Sequence, residues 1–448
     1  MRAAVPWAGA GQASPGRIDD ERFLRRATLD IIGRLPTPEE TTAFSLDPSS
    51  DKRAKIALKL LAQAEFGENW GRYWRDVIMY RKTEDRSGII NGPLTTYLTE
   101  SFNTDKPWSQ IATEFITAEG DATENGACGL IVAQQGNPEE VTSEVSRIFL
   151  GVQISCAQCH NHPTDRWKRE QFHELAAFFP RVSSRIILNN QETGPQVIVS
   201  ANDMAFGGRF RAPMNMRRFG TPEHYMSDLK NPQSRGTLMT PVLFATGQKL
   251  PLGTKDADRR GTLAQWITAK DNPYFAQAFV NRMWSELTGE GFYEPVDDMG
   301  PDRTAVAPQT LEYLAKEFAE SDYNVKWLFQ TIMATDLYQT PSAPRRGPED
   351  PPMQHNVAQR LRADVLFDNL LVALEASEPR GFGGGRGGLY GFGGGPRGQF
   401  AAAFGYDPSQ RRDEIQSSIP QALAMMNSPT IAGSLRGTGN TLLARLLR

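Results

Sequence analysis

Apolar residues recur at helical spacing through the first part of the chain and predict a series of amphipathic helices. An apolar stripe over 22–32 is followed by Gly33, a residue that commonly ends a helix. A second helix is predicted to begin with Thr37 as its N-cap and Pro38 at its first position. The next predicted helix covers 52–64.

Two further helices flank a cluster of cysteines and histidines. Asn137 and Pro138, followed by two acidic residues, form a typical helix start, and apolar residues continue beyond them at helical spacing. We therefore expect this helix to run directly into the segment 156–160. Another helix is predicted over 169–179 and ends at Pro180, so the segment would lie in a short loop between two amphipathic helices.

The hydrophobic pattern changes between about residues 182 and 252. Alternation at 182–188 and 196–200, around a polar turn, predicts a β-hairpin, and 238–246 predicts another strand. Helical spacing then returns at 259–267, 274–287, 309–320 and 325–335. The sequence therefore predicts a mainly α fold, in which helical N-terminal and C-terminal domains are joined by a smaller β-containing middle lobe.

The length of 448 residues exceeds one typical domain, and the changes of pattern give the predicted boundaries. We expect a helical domain over 1–180 that carries the cysteine motif, a β-containing connecting lobe over 181–255, and a second helical domain over 256–448. Within the last of these, the glycine-rich segment 380–398 is predicted to be a flexible loop. It is not expected to bind phosphate, because no strand leads into it and no Lys-Ser/Thr pair follows.

Composition excludes some classes of function. The formal net charge of −3 argues against a nucleic-acid-binding protein, which normally carries a basic surplus. No apolar run approaches the roughly 18–20 residues of a transmembrane helix, so no transmembrane segment is predicted. The first residues lack the continuous apolar stretch of a signal peptide, and we expect that a leader has been removed or that the start is incomplete.

The most informative motif is Cys156-Ala-Gln-Cys159-His160, which has the spacing of a c-type haem attachment site. Two cysteines separated by two residues on a tight turn can form thioethers to the two vinyl groups at one edge of a porphyrin. The adjacent histidine then places its imidazole under the iron. The motif predicts that Cys156 and Cys159 attach haem c and that His160 is the proximal ligand of the iron.

Other interpretations of the motif stay open. A structural zinc site usually takes two separated pairs of ligands, whereas the nearest candidates here, which include His162, are crowded into seven residues. A thioredoxin-like redox pair would be expected in a βαβ setting and without the following histidine. Cys128 is the third cysteine of the chain and could contribute from a distance, or the pair could be structural.

His162 and Asp165 lie just beyond the motif and have two possible roles. They could hydrogen-bond near the haem edge, donate protons or hold a second ion. Alternatively, His162 bonds only to backbone and Asp165 is a turn or cap residue. His162 is too close to His160 in sequence to reach the opposite haem face easily.

The distal ligand cannot be assigned from the sequence. The remaining histidines are His173, His224 and His355, and we expect His173 to be exposed or to cap its helix because it is offset from the apolar stripe. Methionines of the middle lobe are further candidates, although a methionine is more often core filler than a ligand. They are Met204, Met214, Met216, Met226 and Met239.

A carboxylate pair and an arginine complete the set of candidates. Asp297 and Asp298 are adjacent, so on an extended segment their side chains would point to opposite sides rather than share a site. Arg282 precedes them on a predicted helix and could bind a haem propionate if the lobes meet there. A buried ion pair is the alternative role for this arginine.

At this point the residues resemble a known family. The chain is similar to large exported proteins of planctomycetes and their relatives, in which a planctomycete cytochrome-like domain is joined to a second planctomycete-specific domain, both essentially of unknown function. The likeness to the first domain rests on 23–40, 66–74, 156–167 and 175–179. The likeness to the second rests on 272–276, 280–284, 291–298 and 418–429.

The resemblance implies an exported protein of the periplasm or cell surface, often encoded near sulfatases and polysaccharide-degrading enzymes. Its cytochrome label depends largely on the same cysteine–histidine motif. The chain departs from the family in two places. Ala307 precedes Pro308 where the family usually has histidine, which weakens any catalytic role of this position. The chain also stops at Arg448, where relatives continue. We expect the sequence to be truncated at its C-terminus.

Three hypotheses follow from the sequence. The first is an exported monohaem c-type protein that transfers electrons to an unknown redox partner or supports oxidative chemistry linked to polysaccharide breakdown. The second is a metal-dependent enzyme that uses the Cys/His/Asp cluster around a non-haem metal. The third is a scaffold that binds carbohydrate or protein partners. An open sixth iron position would favour an enzyme, and a methionine or histidine there would favour electron transfer.

Overall fold

The computed structural model of the chain describes residues 16–187, 196–203, 222–345, 347, 350–376, 396–435 and 441–447. Within these ranges the protein is mainly α, with short strands in small sheets, which confirms the predicted fold class. No helix among them is long and apolar enough to cross a membrane. Of the predicted glycine-rich loop at 380–398, residues 380–395 lie outside the described residues. The last three residues, 396–398, begin the helix Pro396–Phe404.

The helices up to the β-containing part, in chain order, are α1 (Asp20–Ile32), α2 (Pro38–Leu46), α3 (Lys52–Leu61), α4 (Ala64–Met79), α5 (Asn91–Asn103), α6 (Trp108–Thr117), α7 (Gly129–Ala133), α8 (Pro138–Val145) and α9 (Arg169–Ala176). The later helices are α10 (Asp256–Thr268), α11 (Phe275–Thr288), α12 (Pro308–Glu320), α13 (Val325–Ala334), α14 (Ala363–Ala373), α15 (Pro396–Phe404), α16 (Ile419–Asn427), α17 (Pro429–Ser434) and α18 (Leu442–Leu446).

The strands are short and pair in four small sheets within the described part of the chain. They are β1 (Gly120–Asp121), β2 (Val182–Ile187), β3 (Gln196–Ala201), β4 (Tyr225–Met226), β5 (Thr237–Leu238), β6 (Val242–Leu243), β7 (Gln248–Lys249), β8 (Ser342–Ala343) and β9 (Asn356–Val357). Strands β2 and β3 pair antiparallel, with Val182 opposite Ala201, which confirms the predicted hairpin. Their antiparallel neighbour β1 completes a three-stranded sheet.

The single strand predicted over 238–246 is wrong. The structure has β5 and β6 there, and they belong to different sheets. Pro241 lies between them, and a proline has no N–H to give to a continuous strand ladder.

The predicted helix starts are confirmed in detail. Thr37 caps α2 and forms a reciprocal capping box with Glu40. The Asn137 side chain accepts a hydrogen bond from the backbone N–H of Glu139 at the start of α8. Gly33 ends α1 in the left-handed conformation, with φ of 73°.

The helix that begins at Pro138 does not run into the cysteine motif. It passes into a wide π turn over Ser146–Leu150 and ends at Gly151, which has φ of 65°. A Cβ on Gly151 would collide with the side chains of Met299 and Ala278, so the chain makes a close approach here that only glycine allows. The motif lies beyond this stop, in a separate 3₁₀ turn.

One continuous hydrophobic core runs from Ile18 to Met353. At its centre the Trp108 ring lies 4.4 Å from Trp74 and 4.5 Å from Phe279, measured between ring centroids. Phe279 also stacks on Trp74 at 5.6 Å. Because Phe279 comes from α11 and the two tryptophans from α4 and α6, helices far apart in the chain share this aromatic cluster. The predicted domain boundaries stay a prediction.

We predict that Trp108→Ala lowers the free energy of unfolding by about 3–5 kcal/mol, because it removes a side chain that is only 1% exposed and leaves a cavity between two rings. Urea unfolding followed by far-ultraviolet circular dichroism measures this change. The control is Leu46→Ala, at a residue that is 76% exposed, which we expect to change stability by less than about 0.5 kcal/mol. Similar losses in both variants would contradict the central position of the cluster.

Candidate functional site

The cysteine motif begins in a 3₁₀ turn over Ser155–Gln158 that lies on the protein surface. Ala157 is completely buried, and its backbone N–H donates to Ile154 at 2.9 Å, so the middle of the turn is fixed in the core. Cys156 and Cys159 lie on either side of this anchor and are both exposed and free. The fold therefore presents two thiols outward from one rigid turn.

His160 is exposed, and its ring is oriented by a neighbouring backbone group. Its Nδ1 lies 2.7 Å from the carbonyl oxygen of Asn161, and because a carbonyl only accepts, Nδ1 carries the proton. Its Nε2 has no partner among the described residues. A histidine that ligates a metal commonly donates its other ring N–H to a backbone carbonyl, so His160 has the tautomer suited to binding iron through Nε2.

The side chains of the turn fit covalent haem attachment, whereas the described surroundings enclose little of a porphyrin. Two outward thiols and a free Nε2 are the groups that attachment requires. The cavity that adjoins the turn measures about 200 Å³ and includes Ser155, Gln158, Glu140 and Arg147 in its lining. It is too small and too polar for a macrocycle, and the residues that would hold a haem are Cys156, Cys159 and His160 on the exposed surface of the turn.

A buried pair of histidines supports the turn from beneath. His173 Nε2 donates to the carbonyl oxygen of Gln158 at 3.0 Å, and Arg169 Nε donates to the same oxygen at 3.2 Å. His173 Nδ1 lies 2.8 Å from His224 Nε2, and the two rings stack with centroids 5.1 Å apart. Because Nε2 of His173 carries its proton, its Nδ1 accepts from His224. Gln158 stands between the two cysteines, so this pair fixes the motif itself.

The prediction that His173 is exposed or capping is wrong, since the residue is only 4% exposed. Its position on α9 faces the motif turn rather than solvent, and the polar contacts just described compensate for its burial. Burial, together with a smaller effect of the neighbouring His224, lowers the pKa of His173 to about 4. His173 is therefore neutral at neutral pH.

The loop after the motif packs against the second part of the chain. Asp165 accepts from the backbone N–H of Arg166 at 2.6 Å, and its Oδ2 is buried without a partner in the described part of the chain. A Cβ on Gly300 would overlap this carboxylate, so glycine is needed for the contact. Arg166 pairs with Asp302 at 2.7 Å and donates to Pro301 at 2.8 Å.

His162 and Asp165 do not converge with the cysteines on one point. The Nδ1 of His162 accepts a long hydrogen bond of 3.4 Å from the backbone N–H of Thr164, and the backbone N–H of His162 donates to the carbonyl oxygen of Trp167 at 2.8 Å. Both residues thus bond to the backbone of their loop. The described residues contain no group of three or more histidine, cysteine, aspartate or glutamate side chains that could hold a metal ion.

Arg282 is buried in an ion network. Its guanidinium binds Asp297 at 3.2 Å and the backbone carbonyl of Pro408 at 3.1 Å, and only 3% of the side chain is exposed. Asp297 also accepts from Arg147 at 3.4 Å, while Asp298 pairs with Arg303 at 2.9 Å. The two aspartates thus have separate partners. A propionate role for Arg282 stays a prediction, and its existing contacts leave it turned away from solvent.

The candidate distal ligands are placed differently. Met239 is buried, at 6% exposed, and Met226 lies half-buried on β4. His355 is half-buried and has an Nε2 without a partner among the described residues. Met204, Met214 and Met216 lie outside the described residues. A distal ligand therefore stays unassigned.

Sequence reasoning missed three features that position the turn. These are the Gln158 carbonyl as the anchor of the motif, His224 as the partner of His173, and Gly300 as the contact of Asp165. Of the three features, only the histidine pair had a signal in the sequence: histidine is rare in this chain, and two of its five histidines form this pair. The other two contacts involve a carbonyl and a glycine, which no residue pattern distinguishes.

The fold and the turn together define a mainly α protein that displays a cysteine–histidine motif between helices of one shared core. Residues 5–184 match a family model described as PSCyt2, a protein of unknown function (DUF1549). Residues 259–385 match a second, described as PSD1, a protein of unknown function (DUF1553). No curated protein and no solved structure matches the chain. The two matches fit a protein of two domains, and neither description names an activity.

We predict that the histidine pair makes stability depend on pH. Between pH 6.5 and about 4 the unfolded chain binds a proton at His173 that the folded protein does not, so stability falls as the pH is lowered through this window. A shift of this size corresponds to about 3 kcal/mol. In His173→Gln, which keeps a donor for Gln158 but does not titrate, the loss of stability between pH 7 and about 4 should shrink by about that amount.

Urea unfolding at the two pH values measures this difference. The control is Phe172→Leu on the same helix, a buried residue without a titrating group, which should lower stability while it preserves the pH dependence. If His173→Gln keeps the full pH dependence, the pair is not the group responsible.

Proposed function

We propose that Cys156 and Cys159 attach a c-type haem and that His160 is its proximal ligand, in an exported protein that transfers electrons. The orientation of His160 carries the proposal, because its Nδ1–H is bound to the Asn161 carbonyl and its Nε2 has no partner in the part of the chain that the structure describes. When bound, the haem supplies a one-electron couple on iron. The exposed position of the turn favours exchange of electrons with a partner over chemistry in a closed pocket.

The protein contributes a rigid turn that positions the two cysteines for attachment. Ala157 is buried on its inner side, and the Gln158 carbonyl accepts from both His173 and Arg169. These contacts hold Cys156 and Cys159 outward before any group is attached. The turn is thus supported at one carbonyl by His173, whose pKa burial lowers to about 4, and by the part-buried guanidinium of Arg169.

A site for a non-haem metal finds less support. Such a site needs several side chains that converge on one ion, whereas haem brings four ligands of its own and requires only the two thiols and one imidazole. Asp165 packs on Gly300 and His162 bonds within its loop, so both point to contacts other than a shared ion.

The cellular setting follows from the chemistry and from the resemblance described above. Covalent attachment of haem c requires maturation outside the cytoplasm, so we propose export to the periplasm or cell surface. The redox partner would dock on the exposed face that carries Cys156, Cys159 and His160. A link to polysaccharide breakdown rests on the resemblance alone.

We predict that the chain, produced in a host with the cytochrome c maturation machinery, carries covalent haem. A pyridine haemochrome spectrum and the mass of the intact chain measure this directly. Cys159→Ala should lose one thioether, and the double variant Cys156→Ala/Cys159→Ala should carry no haem. His160→Gln should alter the visible spectrum, because the proximal ligand is lost.

Cys128→Ala is the matched control for the cysteine variants. Cys128 is completely buried, and burial raises the pKa of its thiol to about 12, so it takes no part in attachment and the variant should retain haem. A colourless protein of unshifted mass, from a host that matures a known c-type cytochrome, would overturn the proposal. Elemental analysis of the same sample then tests for another metal.

A further inference from the structure

A second cavity, of about 520 Å³, lies between α1 and the segments around β9 and residue 412. It is separate from the cysteine motif, and its lining contains none of residues 156–160. Its charged lining consists of Arg22, Arg25, Arg26, Asp30, Arg360 and Arg412. Cavities of this volume, formed between elements distant in sequence, are the usual place for small-molecule ligands.

The cavity is strongly basic in a chain that is slightly acidic. Five guanidinium groups and one carboxylate line it, whereas the whole chain has a formal net charge of −3. The three arginines of α1, Arg22, Arg25 and Arg26, follow helical spacing and so form one wall. Arg360 and Arg412 come from the C-terminal part and line the cavity with them. Such a concentration of one sign of charge attracts anions.

Within the described residues, two of the five arginines have a carboxylate partner: Arg22 pairs with Asp19 at 3.4 Å and Arg412 with Glu286 at 3.1 Å. Arg25 has no hydrogen bond or ion pair within the described residues. Arg26 bonds to the carbonyl oxygens of Tyr338 and Thr340 and to a serine hydroxyl, none of which is charged. Arg360 likewise bonds to a backbone carbonyl, a hydroxyl and an amide.

Arg412 adds a donor that is already desolvated. Its Nε is buried and has no partner among the described residues, while its terminal nitrogen pairs with Glu286 at 3.1 Å. A buried donor without a hydrogen bond costs about 1–3 kcal/mol, and an acceptor atom of a ligand would recover this free energy. The one carboxylate, Asp30, accepts from the Tyr338 hydroxyl at 2.8 Å, and burial raises the pKa of Asp30 to about 6.

We propose that this cavity binds a small organic anion that carries two or more oxyanion groups. Arginine presents a planar fork of donors that matches carboxylate, sulfate and phosphate oxygens. Leu29, Leu287 and Val357 also line the cavity and provide apolar surface for the carbon skeleton between the charged groups. The inference is independent of haem attachment, since no residue of the motif takes part.

Isothermal titration of the full chain tests this proposal. The probes are citrate, inorganic phosphate and inorganic sulfate as sodium salts, at one ionic strength maintained with sodium chloride. We expect saturable binding of citrate, weaker binding of the single-group inorganic ions, and none of chloride. The order of the three probes then distinguishes carboxylate from tetrahedral oxyanion recognition.

Arg25→Gln should weaken citrate binding by about tenfold, because one charge-assisted contact is lost from a side chain that has no structural partner. Arg185→Gln is the matched control: Arg185 is an exposed residue of β2 outside the cavity, so the variant removes the same charge but should leave binding unchanged. Equal weakening in both variants would show general electrostatic attraction and overturn the site, as would the absence of saturable binding of every probe.

Discussion

Burial of a guanidinium group is costly unless carboxylates and carbonyls surround it, and Arg147 and Arg282 share one network of such groups. Arg147 and Arg282 are each 2% exposed. Glu144 pairs with Arg147 at 2.5 Å, and Asp297 contacts both arginines. Burial alone would raise the pKa of Asp297, yet the two arginines hold it below its usual range. Arg147 and Glu144 form one pair and Arg282 and Asp297 form the other, and the contact of Arg147 with Asp297 at 3.4 Å joins the two parts of the chain.

The cysteine turn depends on this network through short connections. Gln153 donates to the second oxygen of Asp297 at 2.6 Å, and Gly151 accepts from the backbone N–H of Met299 at 2.8 Å. The segment that leads into the turn is thus fixed to the C-terminal part. Beyond the turn, Asp165 packs on Gly300 of the same loop. The histidine pair binds the Gln158 carbonyl in the middle of the motif. The motif is therefore fixed by contacts before it, within it and after it.

Local signals predicted much of the fold, and tertiary contacts determined the rest. The sequence predicted the starts of α2 and α8 and the end of α1 correctly, because a capping side chain or a glycine acts within one helical turn. The stop at Gly151 was not, because its cause is the close approach of Met299 from a distant segment. The burial of His173 was missed for the same reason, since helical spacing does not reveal a hydrogen-bond partner as distant in the chain as His224.

The contacts that hold the turn come from residues both before and after it in the chain. His224, Asp297 and Gly300 all follow residue 160, so during synthesis the motif emerges before most of its supports exist. Since domains acquire structure as the chain lengthens, the two thiols are carried for a time on an unsupported segment. An enzyme that modifies the two thiols would therefore have a flexible, unfolded segment as its first substrate, and the rigid turn would form only later. The order of residues along the chain thus gives such an enzyme a period in which both thiols lie on an unfolded segment, before the turn becomes rigid.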